Sequence, residues 1–259
     1  MNILVCVKIV SQATFSDSLS DSNERLGGGK LGINPADAYA LELALRIKDK
    51  EKGTMVTVLT MAPSYVEKSL RDAIAAGADE AVLVCDSRAA GSDTLATSKI
   101  IAAAIKKLPE YDLILCGKKA IDSETGHIGP QLGVLLDMPV LTGVTAFQLG
   151  GGELKAFCTR DGFSAEYTGA LPAILTVCNG TDMVRSPTIM GLRRSKNALI
   201  KQFGLDELAV DPDEVGLEGS PTRTVSVETI SFRRGRKNLC PDAEEGSKQL
   251  RSLLKGGES

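Results

Sequence analysis

The 259-residue sequence has few of the side chains that carry acid–base and metal chemistry. It contains one histidine, His127, and no tryptophan, and aromatic residues make up only 4% of the chain. Six cysteines are scattered along it, and no two of them have the spacing of a metal or redox motif. A Ser-His-Asp triad would have to use His127, but no G-x-S-x-G elbow presents a serine. We therefore expect no catalytic side chain and no metal site in this chain.

Long apolar runs and a strong excess of one charge are also absent. No stretch has the roughly 20 consecutive apolar residues of a membrane-spanning helix. The net charge is −3, which draws the chain neither to nucleic acid nor to anionic lipid. Its first residues, MNILVCVKIV, lack the leading charges and cleavage site of a signal peptide. Cysteines inside predicted strands indicate a reducing compartment. We expect a cytoplasmic protein with no membrane span and no nucleic-acid partner.

Apolar strands alternate with helical segments in the first 140 residues. The predicted strands are 3–9, 55–61, 80–85 and 113–116, and the predicted helices start at 34–35, 63 and 94. Asn34 is a suitable N-cap for the first helix, and Pro35 suits its first position. Residues 11–33 are predicted to form a long loop or an irregular hairpin. This order predicts an α/β fold with a doubly wound, mostly parallel sheet of the adenine-nucleotide or Rossmann-like type.

After Pro139 the pattern changes to short strands separated by glycine turns. Strands are predicted at 144–149, 153–159, 166–168 and 173–177, and they extend the sheet. The polar tail is predicted to contain a strand within 220–232 and a helix at 242–254, and it has too little apolar surface for a core of its own. We expect an α/β domain at 1–205, with its core at 1–140 and added strands and a partner loop at 141–205. An extended C-terminal arm follows at 206–259.

One stretch, Leu113–Pro130, has the layout of a ligand site. A short buried strand ends at Gly117, a polar loop follows, and a short helix is predicted from Gln131. Such a junction places free backbone N–H groups at the carboxyl edge of a sheet, where α/β proteins hold phosphates. The residues alone equally allow an ordinary connection between a strand and a helix.

Several separated stretches resemble one family in order and spacing, the β subunit of electron transfer flavoproteins. They are ILVCVKIV at 3–10, INPADAYALELALRIKDK at 33–50, VTVLTMAP at 56–63, LRDAIAAGADEAVLV at 70–84, DLILCGKKAIDSETGHIGP at 112–130 and LPAILTV at 171–177. The resemblance implies a heterodimer with an α subunit that carries a redox-active FAD. It also implies a nucleotide in this chain, either AMP or a second FAD.

The resemblance places the nucleotide contacts around one crevice. They are Cys6, Asn34, Met61, Cys116, Gly117, Asp122, Thr125, Gly126, His127, Ile128 and Gly129. Backbone N–H groups of 126–129 are expected on phosphate, and Asn34 and Asp122 on polar atoms of the sugar or base. The family commonly has glutamine where this chain has His127, so the contact there is expected to differ.

The stretch Gly91–Ser98, GSDTLATS, resembles the electron-bifurcating subgroup of the family. In that subgroup a similar G-x-D-T-x-A-T-S holds the flavin half of a second FAD. Asp93 would then cap a helix, and Thr94 and Thr97 would bind the pyrophosphate. The alternative is a plain capped helix.

The resemblance implies a function in electron transfer. The chain would bind FAD, take hydride from NADH and pass electrons to the α-subunit FAD and to a low-potential acceptor such as ferredoxin or flavodoxin. An acyl-CoA or other flavin dehydrogenase would be the partner of the α-subunit FAD. The alternatives are a non-bifurcating carrier with structural AMP and a stand-alone adenine-nucleotide sensor.

A basic segment between 185 and 201 is a candidate docking surface for the dehydrogenase. Ile189 and Met190 would form an apolar anchor rimmed by Arg193 and Arg194, a common interface composition. A solvated basic face is the alternative. Residues 179–187 lack the family's usual Asn-Glu-Pro-Arg-Tyr run, so this segment does not identify the partner.

Overall fold

The chain forms one large, mostly parallel sheet with helices on both faces. The computed structural model describes residues 1–11, 31–160, 162–178, 180, 184–226 and 242–255. Its strands are β1 (Asn2–Cys6), β2 (Ile9–Ser11), β3 (Leu31–Ile33), β4 (Met55–Met61), β5 (Glu80–Val84), β6 (Leu113–Gly117), β7 (Val140–Gly150), β8 (Glu153–Arg160), β9 (Phe163–Ala170), β10 (Ala173–Val177) and β11 (Ile200–Phe203). Its α-helices are α1 (Pro35–Lys50), α2 (Glu67–Ala76), α3 (Thr94–Lys106), α4 (Ile128–Leu136), α5 (Ile189–Lys196), α6 (Leu205–Leu208), α7 (Gly216–Gly219) and α8 (Ala243–Lys255).

The strand order of the main sheet is β11-β5-β4-β1-β6-β10-β7-β8-β9. Strands β11 to β7 in this order are parallel, and β8 and β9 are added antiparallel to β7. From β1 the chain moves to β4 and β5 on one side and then returns to β6 on the other. The strand order therefore reverses between β1 and β6, and ligands of such sheets bind in the crevice at that point. The predicted fold class is confirmed.

The central strands are buried on both faces, as continuous apolar runs in a covered parallel sheet require. Side chains of α1 and α2 pack in the apolar cluster on one face, and side chains of α3 and α4 pack in the cluster on the other. Leu4 and Cys6 of β1 point into the α3/α4 cluster, and Ile3 and Val5 point into the α1/α2 cluster. The two helical layers therefore cover opposite faces of the sheet.

Helices α1 and α3 begin where the sequence predicts, whereas α2 begins at Glu67, after a 3-10 turn, and not at Pro63. Pro35 opens α1, and Asn34 occupies its N-cap position without a capping side-chain hydrogen bond. The Asn34 side chain is engaged elsewhere, as described below. Asp93 caps α3 as predicted, because its carboxylate accepts from the backbone N–H of Ala96 at 2.9 Å.

Several elements differ from the sequence prediction. The predicted first strand is divided into β1 and β2, and β2 pairs antiparallel with β3. The basic segment contains a helix, α5, and a parallel edge strand, β11, neither of which was predicted. Residues 220–226 form no strand, and the rest of the predicted strand at 220–232 lies outside the described residues. Strand β11 has four residues, which is too short for a periodic signal.

The chain divides into two compact units, Met1–Arg223 and Thr224–Ser259. Residues 206–223 belong to the first unit, so the arm that we expected from 206 begins as a separate unit at 224. The reason is that Leu208 and Val215 are buried in the α3/α4 cluster. Within the second unit α8 matches the predicted C-terminal helix. None of the helices in the described part of the chain is long and apolar enough to cross a bilayer.

Candidate functional site

Three of the predicted contact residues lie at the carboxyl ends of adjacent strands. Cys6 ends β1 and Met61 ends β4, while Cys116 lies opposite Cys6 in the register of β1 and β6. All three pack in or against the α3/α4 cluster. The hydrogen bond with Cys6 and burial raise the pKa of the Cys116 thiol well above its usual range, so this thiol stays protonated. Cys6 and Cys116 lie side by side at the switch point of the sheet.

Asn34 holds the polar loop that follows β6. Its side chain is fully buried, and its amide nitrogen donates to the backbone carbonyl of Lys119 at 3.1 Å. Its amide oxygen accepts from the backbone N–H of Ile121, also at 3.1 Å. Both polar atoms of this side chain are therefore used to shape the loop.

The same loop is joined to the end of β1 by an ion pair. Lys8 Nζ lies 2.6 Å from a carboxylate oxygen of Asp122. This pairing places the Asp122 carboxylate, a predicted nucleotide contact, beside the first residues beyond β1.

Asp37 is the functional candidate that the sequence reasoning missed. Its buried carboxylate accepts from the backbone N–H of Lys8 at 2.8 Å and from that of Gly117 at 2.9 Å. Burial raises the pKa of Asp37 to about 6, and the hydrogen bonds from Lys8, Gly117 and Asn34 oppose this shift. An acidic residue in the first turn of a helix ordinarily indicates a favourable charge at the helix start. Only the fold shows that this one joins two strand ends.

Gly117 must be glycine because α1 lies against it. A Cβ at this position would overlap the Asp37 carboxylate and would lie 2.7 Å from the Cβ of Ala36. The start of α1 and the end of β6 are therefore in direct contact at the crevice.

The predicted phosphate loop leads into α4, which begins three residues before the predicted helix start. Gly126 has a φ of +67°, a conformation that glycine adopts at little cost. His127 occupies the N-cap position and makes no capping side-chain hydrogen bond. The N–H groups of the first helical residues, Ile128 and Gly129, have no partner within the helix. Gly129 itself is buried against Thr176 of β10.

The start of α3 lies next to the start of α4. Thr94 Oγ1 is 3.2 Å from His127 Nδ1, and Ser98 Oγ donates to Gln131 Oε1 at 2.8 Å. The Thr97 hydroxyl is 3.5 Å from the carbonyl of Ser92. The structure thus brings the GSDTLATS stretch and the 125–129 loop together, although 33 residues separate Thr94 from His127.

The Asp93 side chain is fully engaged by the protein. One oxygen caps α3, and the other accepts from the backbone N–H of Thr222 at 3.0 Å and from its hydroxyl at 2.8 Å. The backbone N–H of Asp93 donates to Ser220 Oγ at 2.9 Å. Burial raises the pKa of Asp93, but these hydrogen bonds outweigh it and the net pKa is lowered. No local signal predicts a contact across 129 residues.

The predicted docking residues lie on α5, where their surroundings differ. Ile189 and Met190 are 76% and 81% exposed, and Arg193 is exposed as well. The Arg194 guanidinium instead donates to the backbone carbonyls of Ile74 and Ala78, at 2.8 and 3.0 Å. Arg194 therefore fastens α5 to the end of α2. Docking of a dehydrogenase on this helix stays a prediction.

Comparison with known proteins identifies the family. The electron transfer flavoprotein domain family matches residues 28–206. The electron transfer flavoprotein subunit beta of Thermoanaerobacterium thermosaccharolyticum is 37% identical, over 96% of this chain and 96% of the relative. That of Megasphaera elsdenii is 35% identical, over 91% and 90%. The caffeyl-CoA reductase–Etf complex subunit CarD of Acetobacterium woodii is 37% identical, over 86% of each chain. The chain therefore belongs to the electron transfer flavoprotein family and is of the β-subunit type.

Proposed function

We propose that this chain is the β subunit of a heterodimeric electron transfer flavoprotein and that it binds FAD at the carboxyl ends of β1, β4 and β6. In this proposal the subunit takes hydride from NADH. Electrons pass to the FAD of the α subunit, which serves a flavin dehydrogenase, and to a low-potential acceptor such as ferredoxin or flavodoxin. The Acetobacterium woodii relative, named as part of a caffeyl-CoA reductase–Etf complex, supports a partner that acts on an acyl-CoA.

The observation that carries the FAD assignment is the contact between Thr94 and His127. It places the N-termini of α3 and α4 side by side, and helix N-termini bind phosphate groups through their free N–H groups. A dinucleotide needs two such segments, whereas AMP needs only the 125–129 loop. The glycine at 126 and the uncapped start of α4 fit the close approach of a phosphate.

Each residue has a role in binding and none in acid–base chemistry. The N–H groups of Ile128 and Gly129 bind phosphate, and the Thr94 and Thr97 hydroxyls donate to the pyrophosphate of the cofactor. Asp93 acts indirectly by holding the start of α3. A bound FAD supplies the hydride and electron chemistry, for which the protein provides position and electrostatics.

Counting flavins in the heterodimer tests the proposal. We expect two FAD molecules in the gently purified complex and one after Thr94→Ala with Thr97→Ala, with the α-subunit flavin retained. NADH oxidation should fall together with the lost flavin. One FAD and one AMP in the unmutated complex would contradict the proposal and favour a non-bifurcating carrier.

We also propose that the exposed face of α5 docks the partner dehydrogenase. Ile189 and Met190 provide the apolar anchor and Arg193 the charged rim, while Arg194 holds the helix in place. Met190→Ala with Arg193→Ala should slow electron transfer to the partner, and the loss should be greater at low salt because exposed charges are screened at high salt. Unchanged transfer at both salt concentrations would favour a solvated basic face.

A further inference from the structure

Asp37 joins the two strands that border the nucleotide crevice. Its carboxylate bridges the backbone N–H groups of Lys8 and Gly117, which lie at the carboxyl ends of β1 and β6. These strands are neighbours at the point where the strand order reverses. The residue is buried beneath the crevice, and the proposed function gives it no task.

The contacts of Asp37 continue into the loop that follows β6. Gly117, at the start of the loop, donates to one carboxylate oxygen. Lys8 donates its backbone N–H to the other oxygen, and its ammonium group pairs with Asp122 further along the loop. The start of the loop is thereby held by the Asp37 carboxylate and its end by the Lys8 ammonium. Asn34 of the same helix start holds the middle of the loop.

We propose that Asp37, in its ionised form, is a positioning residue that sets the conformation of the 117–122 segment for nucleotide binding. The inference rests on the proposed function because it needs a nucleotide in the crevice. The N–H groups of Lys8 and Gly117 donate to different oxygens of Asp37, and only the ionised carboxyl group presents both oxygens purely as acceptors. A protonated carboxyl turns one oxygen into a donor, so one of the two N–H groups loses its partner.

The side chains of Lys8, Asn34 and Cys116 surround the Asp37 carboxylate. Lys8 is the cation that faces it, and the Lys8 ammonium is paired with Asp122. The Cys116 thiol stays protonated, and the Asn34 amide carries no charge. The pKa of Asp37 at about 6 means that its protonation occurs within the range in which binding can be measured.

The test measures dissociation constants of the full-length chain for FAD and for AMP between about pH 5 and 8. The profile is recorded for the chain with His127→Gln, the residue that the family commonly has at this position, so that Asp37 is tested without an imidazole in the loop. Both nucleotides should bind at least about tenfold more weakly at the acidic end, because one hydrogen bond to a charged group is lost. Asp37→Asn in the same background should weaken binding by a similar factor at the alkaline end and remove the pH dependence.

Asp112→Asn is the matched control. Its carboxylate accepts from the backbone N–H of Asn2 at 2.7 Å and so joins the same two strands at their opposite, amino ends. Removing this carboxylate should leave the dissociation constants and their pH profile unchanged.

The outcomes separate the inference from the proposed function. If the unmutated chain bound neither FAD nor AMP at any pH, the proposed function and this inference would both be overturned. Binding that does not change between about pH 5 and 8 would overturn only the role of Asp37, as would an Asp37→Asn variant that binds like its parent. If Asp37→Asn does not fold, the pH profile of the His127→Gln chain decides the question alone.

Discussion

Thr94 and His127 meet at the starts of two helices, with the threonine hydroxyl 3.2 Å from Nδ1 of the imidazole. The contact joins the first residue of α3 to the N-cap residue of α4. Both segments carry residues that the family resemblance assigns to the nucleotide. Their proximity supports the proposal that one cofactor contacts both segments.

Because of this contact, Thr94→Val tests whether the start of α3 contributes to FAD binding. The substitution removes the hydroxyl and keeps the shape of the side chain, so α3 should remain folded. We expect FAD to bind about five- to tenfold more weakly, since one hydrogen bond is lost. AMP serves as the internal control, because it needs only the 125–129 loop. Unchanged FAD affinity in a titration would contradict a role for the start of α3.

Close packing at Gly129 predicts a substitution with its own rescue. A Cβ at this position would overlap the Cγ2 methyl of Thr176, so Gly129→Ala should lower the free energy of unfolding by about 1–3 kcal/mol. Adding Thr176→Ser removes that methyl and keeps the oxygen that accepts from the N–H of Gly143. The double variant should therefore be more stable than Gly129→Ala in chemical denaturation.

A glycine with open surroundings is the control for this pair. At Gly150 an added Cβ would meet no atom within 4 Å, so Gly150→Ala should have little effect on the unfolding midpoint. Equal losses of stability in Gly129→Ala and Gly150→Ala, or no recovery in the double variant, would show that overlap with the Thr176 methyl does not cause the loss.

Two arginines cap the helices α2 and α5 reciprocally. Arg194 of α5 donates to carbonyls at the end of α2, and Arg71 of α2 donates to the carbonyls of Ser195, Lys196 and Ala198 at the end of α5. Arg71→Met and Arg194→Met should each lower the free energy of unfolding by about 1–3 kcal/mol, because backbone carbonyls at the helix ends lose a charged donor. Thermal unfolding of the variants measures the loss.

Arg193 provides the comparison, because it is exposed on the same helix. Arg193→Met should change the unfolding free energy by no more than about 0.5 kcal/mol. If all three variants lost the same stability, charge removal rather than helix capping would be the cause.

The buried Asp37 predicts how stability varies with pH. Its pKa is raised from 3.8 to about 6 by burial, so the folded chain binds more protons than the unfolded chain between these values. The stability from this group is fully present below pH 3.8 and is lost as the pH rises through about 6. Relative to Asp37→Asn, the nucleotide-free chain should lose on the order of 3 kcal/mol over this interval.

Urea denaturation of the two chains at several pH values checks this expectation, because the titration of all other groups cancels in the difference. Asp112→Asn, compared in the same way, controls for the removal of a carboxylate from the same pair of strands. If the difference in unfolding free energy between the chain and Asp37→Asn stayed constant from about pH 4 to 7, it would contradict the raised pKa of Asp37.

Local sequence determined the order of the core elements and predicted which strand ends carry the candidate nucleotide contacts. Strand β4 and helix α1 follow from apolar runs and from the Asn34-Pro35 start, which are encoded within a few residues. The N-cap at Asp93 is also encoded locally, because its carboxylate bonds to Ala96 in the first turn of the helix. Patterns at this range reflect hydrophobic periodicity and backbone hydrogen bonding, and both act between near neighbours in the chain.

Tertiary structure alone decided what several of these residues do. Asn34 stands at the predicted cap position, yet its side chain bonds to residues that follow β6, because α1 begins against that strand end. Asp37 joins Lys8 to Gly117, and Asp93 binds Thr222, over separations of 29, 80 and 129 residues. Such pairs depend on which strands become neighbours in the sheet, and that choice is made by burial of the whole core rather than by any local pattern.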